Sequence, residues 1–195
     1  MMSSTVFLAI STGLSLNLII QFGFGIRDIV YIKNFRLRFP LYQCIVLFFT
    51  VILIWLCFTY VFYPLGMGFM ETLILIPLTI LFCWLLEQGI FHLFPKWLSS
   101  NRTTVFSAYN GIVFAAGYFT LQIAGTFMDA LVMSLGFALG CFVSIAIVHE
   151  INKRSSMEAV PAFLRGSPLL LISMGLLSLI FTAAALLCLQ IAGVF

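Results

Sequence analysis

Residues 41–63 read LYQCIVLFFTVILIWLCFTYVFY, an uninterrupted run without a single charge. A helix needs about 20 largely apolar residues to cross a bilayer, so this segment alone is long enough for one span. Charge-poor runs on either side predict five more. The spans fall at about 5–26, 41–63, 72–94, 105–125, 129–148 and 168–191. The stretch Tyr63-Pro64-Leu65-Gly66-Met67-Gly68 reads as a tight turn between the second and third spans, and Gly125 to Asp129 as another between the fourth and fifth. No segment alternates apolar and polar residues over about ten positions, as a barrel strand would. The expected architecture is an all-α membrane protein with residues 1–195 forming one transmembrane domain.

Composition agrees. The 195 residues are 63% hydrophobic and only 8% charged. A soluble domain is about 45–50% apolar and about 25% charged, and a fold of this size has too little interior to hide the difference. A soluble enzyme, a disordered chain and a nucleic-acid-binding module are excluded. The five cysteines (Cys44, Cys57, Cys83, Cys141 and Cys188) lie singly in apolar runs, with no Cys-x-x-Cys pair. That pattern suits buried thiols acting as small hydrophobes. The first apolar run has no basic residues ahead of it and reads as a retained span rather than a signal peptide.

The loops sort by charge. Segments 27–40, 95–104 and 149–167 share one face and contain all nine Lys and Arg residues, whereas the opposite turns carry only Glu71 and Asp129. By the positive-inside rule the basic loops are cytoplasmic and both termini lie outside. Three spans followed by three then give two inverted three-helix repeats. In such folds functional sites collect near the midplane, where corresponding helices of the two halves are interrupted.

The first helix of each half fits that pointer. The leading one carries Asn17 and then Gln21-Phe22-Gly23-Phe24-Gly25; the fourth carries Tyr109-Asn110-Gly111. Two readings stay open, because glycines also serve close helix packing. An amide in hydrocarbon must find a partner, so Asn17 and Asn110 either bond each other or cap a broken helix end. Glu87, an acid within the third span, is a candidate for an ion path or an interfacial residue. The cofactor-binding or ion-path candidates are thus Asn17, Gly23, Gly25, Glu87, Asn110 and Gly111, with no metal ligands among them. No phosphate-binding loop, nucleophile triad or His-Glu-x-x-His sequence is present.

The last basic loop, Ile151-Asn-Lys-Arg-Ser-Ser-Met-Glu-Ala-Val160-Pro161-Ala-Phe-Leu164-Arg165-Gly166, leads into Leu169-Leu-Leu-Ile-Ser-Met-Gly-Leu-Leu-Ser-Leu. It resembles the end of the RnfA/NqrE family of membrane subunits, in which a Val-Pro-x-x-Phe-Arg-Gly loop precedes the last span; Leu164 stands at the Phe. Glu87 and Pro95 match an acid and a proline of that family's third span, and Asn110 matches the Asn of its Thr-Thr-Asn-Cys motif. The likeness covers residues 87–180 well and the first third more loosely.

The resemblance implies a subunit of an Rnf-type complex in a bacterial inner membrane. Such a complex passes electrons from ferredoxin or NADH to NAD or quinone and moves Na+ or H+. It implies as partners an RnfE-like sister of six spans and other Rnf-type subunits carrying flavins and iron–sulfur clusters.

One departure is chemical. The family holds a [2Fe–2S] cluster through a cysteine ending the first helix and another after the fourth-helix Asn. Here those places read Gly25-Ile26-Arg27-Asp28 and Asn110-Gly111. Clusters need thiolates or, at times, imidazoles, so this chain is expected to supply no cluster ligands and to hold no cofactor of its own. The alternatives are a divergent non-redox small transporter, a structural membrane partner of the same fold, or a cofactor moved to cysteines elsewhere.

Overall fold

The computed structural model describes residues 7–23, 38–93, 111–157 and 167–191. They form six helical segments and, among the described residues, no strand. The first, α1, covers 7–15 and ends in a widened turn at Ser11–Ser15. It is followed by α2 (Arg38–Cys57), which runs on through a second widened turn at Phe58–Phe62. The others are α3 (Glu71–Leu93), α4 (Gly111–Ile123), α5 (Phe127–Met157) and α6 (Ser167–Ile191).

Four of these contain stretches long and apolar enough to cross a membrane: Leu41–Phe62, Met67–Gly89, Phe127–Ile151 and Pro168–Cys188. α4 is apolar but shorter, and residues 105–110 of its expected span lie outside the described residues. The expected first span differs more. Helix stops after Ser15 and the chain continues as turns through residue 23; residues 5, 6 and 24–26 of the expected span lie outside the described residues.

The connections follow local chemistry. Between α2 and α3 the chain turns at Gly66, whose φ of +71° is a left-handed conformation natural to glycine. Its N–H donates to the Tyr63 carbonyl at 3.1 Å. Between α4 and α5 the turn is shorter than expected, because Thr126 and Asp129 form a capping box. The Thr126 N–H and Oγ1 donate to Asp129 Oδ2 at 3.2 and 2.8 Å, and the Asp129 N–H donates back to Thr126 Oγ1 at 3.2 Å. Asp129 is therefore a helix-starting residue of α5. At its other end α5 outlasts its apolar stretch, with Arg154 Nε 3.0 Å from Glu150 Oε1 one turn before it.

α2 and α5 are the central pair. Their apolar stretches are 39% and 56% buried, against 17% for both α3 and α6. α1 packs on α5 and α6, while α4 packs on α2 and α3. The core runs along α2 through Leu47, Val51, Ile54 and Phe58, and meets Ile112 and Ala116 of α4 and Met133 and Ile145 of α5.

Candidate functional site

The site begins where α1 stops. Leu16 leaves helical geometry at φ −98°, ψ 38°, its N–H reaching back to the Ser11 carbonyl at 2.6 Å. Asn17 then restarts the chain. Its Oδ1 accepts from the N–H groups of Ile19 and Ile20, each at 3.3 Å, and its own carbonyl accepts from the Gln21 N–H at 2.9 Å. That is the bonding of a helix N-cap, with the side chain serving the otherwise orphaned donors of the new turn. The turn closes at Gly23, whose N–H donates to the Ile19 carbonyl at 3.0 Å and whose φ of +70° is again left-handed. The first segment is thus a helix that ends at Ser15, followed by hydrogen-bonded turns from Asn17 to Gly23.

The joint is fixed to α5. Asn17 is 1% exposed, and its Nδ2 donates to the Gly140 carbonyl at 3.1 Å and to the Gly13 carbonyl at 3.4 Å. Ser144 Oγ lies 2.8 Å from Asn17 Oδ1 and 2.7 Å from the Gly140 carbonyl, so its one hydrogen serves either acceptor. Gly140 lies near the middle of the Phe127–Ile151 stretch, so the break stands level with the middle of that candidate span. Glycine is required there, since a β-carbon at Gly140 would stand 2.7 Å from the Gly13 backbone oxygen. Gly136, one turn away, faces Thr12 and the Ala9 carbonyl just as closely.

From this anchor the interrupted segment reaches two more helices. Gln21 Nε2 donates to Thr182 Oγ1 of α6 at 3.1 Å. The Phe22 ring lies 5.8 Å from that of Phe119 on α4. Leu18, Ile19 and Ile20 are buried between them. Breaks in membrane-spanning segments are where transporters place polar sites in hydrocarbon.

Of the residues expected at the site, Asn17 and Gly23 meet at this break. Gly111 is the first residue of α4, and Gly25 and Asn110 lie outside the described residues. Asn17 bonds the broken helix end; Asn110, the other partner open to it, lies outside the described residues. Glu87 sits elsewhere, half-buried on α3 one turn from Cys83, with Tyr42 of α2 as a titratable neighbour. Cys83 in turn touches Thr50, with Sγ 3.7 Å from Oγ1.

At the opposite rim Gln122 Nε2 of α4 donates to Glu71 Oε1 of α3 at 3.1 Å. Burial, and then the nearby negative charge of Glu71, push Tyr63 above the usual phenol range. Among the described residues no three His, Cys, Asp or Glu side chains converge as a metal site would require.

Gly136, Gly140, Ser144 and Thr182 were not legible as site residues from the local segment. The spacing Gly136-x-x-x-Gly140-x-x-x-Ser144 is the available signal, a stripe of small residues on one helix face. A scan of protein-family models finds none that matches the chain, and no curated protein matches it.

Proposed function

We propose that this chain is a membrane subunit of an Rnf-type ion-translocating electron-transport complex, contributing to its membrane core without iron–sulfur ligands of its own. One observation carries the reading. The first segment is broken between Leu16 and Gly23, just ahead of Gly25–Asp28, where the resemblance puts a cluster cysteine of the family, and no thiol lies anywhere in residues 1–43. In this reading Asn17 and Gly23 hold a break in the helix beside the place from which the redox ligand has gone. Glu87 lines the path of the moving ion.

The packing supports two inverted three-helix repeats. Exchanging α1 with α4, α2 with α5 and α3 with α6 maps the α1–α5 contact onto α4–α2, and the α3–α4 contact onto α6–α1. Under the same exchange the two central helices correspond, as do the two peripheral ones. Six crossings then put both termini outside and every basic loop on the cytoplasmic side of a bacterial inner membrane. The partners are an RnfE-like six-span sister and other Rnf-type subunits, which hold the flavins and clusters.

Isolation of the tagged chain from its native membrane in mild detergent tests this. The expected result is co-purification of a second six-span protein and flavin-bearing subunits, with an iron content unchanged when any one of the five cysteines of this chain is replaced. Iron lost with one of those cysteines would show that this chain is a cluster ligand. A monodisperse chain without partners would point to the non-redox transporter instead. Reporter fusions after residues 35, 100 and 157 should read as cytoplasmic, and those after 66, 127 and 195 as external.

A further inference from the structure

The cysteines are scattered in sequence but two of them meet in space. Trp55 of α2 and Phe127 of α5 mark one end of the central helix pair, with ring centroids 6.0 Å apart. Counting back from Trp55, Cys44 is eleven residues away, close to three whole turns, so it lies on the same face of α2. Counting forward from Phe127, Cys141 is fourteen residues away, close to four turns, and shares the face of Phe127. At about 1.5 Å per residue these steps cover about 16 Å and about 21 Å along two antiparallel helices. The two cysteines therefore stand opposite each other to within one turn. Cys141 belongs to the buried core, Cys44 packs against that core, and the two side chains are neighbours across the α2–α5 seam. Both are free. No third His, Cys, Asp or Glu joins them among the described residues.

We propose that Cys44 and Cys141 are a modification site, a thiol pair closed into a disulfide by a lipid-soluble two-electron oxidant of the quinone class. Two S–H bonds break and one S–S bond forms. The two electrons and two protons pass to the quinone, which leaves as the hydroquinone. Reactants and products are all uncharged, so no ion has to be left in hydrocarbon. The burial of Cys141 selects the oxidant, since a water-soluble one has no access to the α2–α5 seam. The bond ties α2 to the helix whose adjoining face, through Gly136, Gly140 and Ser144, holds the α1 break. The pair needs neither the Rnf reading nor a cluster.

The test uses the full chain in native membranes in a Cys188→Ala background, which removes the exposed thiol. After treatment with a short-chain, fully substituted benzoquinone, the protein is denatured, its free thiols are blocked with a maleimide, and the labels are counted by intact mass. The count should fall from four to two, with one linked peptide joining the segments of Cys44 and Cys141. Adding Cys141→Ser should leave three labels, treated or not. A count that stays at four, or a linked peptide containing Cys57 or Cys83, overturns the proposal.

Discussion

Two carboxamides are buried in this bundle to the same degree and end differently. Asn17 is 1% exposed and Gln43 is 3% exposed. Asn17 holds two carbonyls, two backbone N–H groups and a serine hydroxyl within hydrogen-bond distance. Gln43, near the basic-loop end of α2, has neither Oε1 nor Nε2 bonded among the described residues. The backbone beneath them explains the contrast. Gln43 sits in continuous helix, where the main-chain N–H and carbonyl of its own residue are taken up by the i→i−4 pattern. Asn17 sits where the helix has been opened, so the orphaned groups and the amide satisfy one another. A buried amide in a membrane helix is thus read by its backbone: beside a break it is a structural joint, and inside a regular helix it is an uncompensated polar group.

Asn17→Leu is the strongest way to break this comparison. The substitution keeps the volume roughly but leaves the Ile19 and Ile20 N–H groups without acceptors and removes a donor from Gly140. The expected loss is about 2–4 kcal/mol, at the upper end of single unsatisfied groups because several are left open at once. Unfolding in mixed detergent micelles measures it. A loss below about 0.5 kcal/mol would mean that the break holds without its cap, and that the joint is made by the Gly140 contact alone.

Gln43→Leu should move stability the other way. Replacing an unbonded buried amide by an apolar side chain of similar size removes a desolvation penalty, and a gain of about 1–3 kcal/mol is expected. The same micelle titration reads it. A loss of comparable size would show that Gln43 has a partner in the membrane-embedded protein, which would erase the contrast with Asn17.

The two sites also differ in how far they could be read from sequence. The ends of α2, α3 and α6 fall within a few residues of expectation because lipid sets the length of a span, and charge or turn residues mark where it stops. α5 runs past expectation to Met157 because its last turns leave the apolar region while remaining helical. Hydropathy stops at the end of the apolar region and does not see helix beyond it. Asn17 and Gly23 were visible as an amide and a glycine in an apolar run. The start of the break was not, since the backbone already opens at Leu16, ahead of the left-handed turn at Gly23, while Gly25 lies outside the described residues. What decides it lies 123 and 127 positions away, at Gly140 and Ser144. The pairing of Cys44 with Cys141 was equally hidden, because it depends on the register of two helices rather than on any local spacing.

The smallest effect expected in this comparison belongs to Ser144. Its hydroxyl has one hydrogen and two close acceptors, the Asn17 Oδ1 at 2.8 Å and the Gly140 carbonyl at 2.7 Å. Neither depends on it alone, since Oδ1 keeps the two N–H groups of the new turn and Gly140 keeps the Asn17 amide. Ser144→Ala therefore leaves no group orphaned and preserves the small surface that α1 needs. A loss of about 0.5–1 kcal/mol is expected, within the range measured for hydrogen bonds between membrane helices. Combined with Asn17→Leu, the serine change should cost almost nothing further, because its Asn17 acceptor has already gone. Full additivity in that double-mutant cycle would mean that Ser144 acts through Gly140 alone, and the joint would then consist of the amide and the two glycines without the hydroxyl.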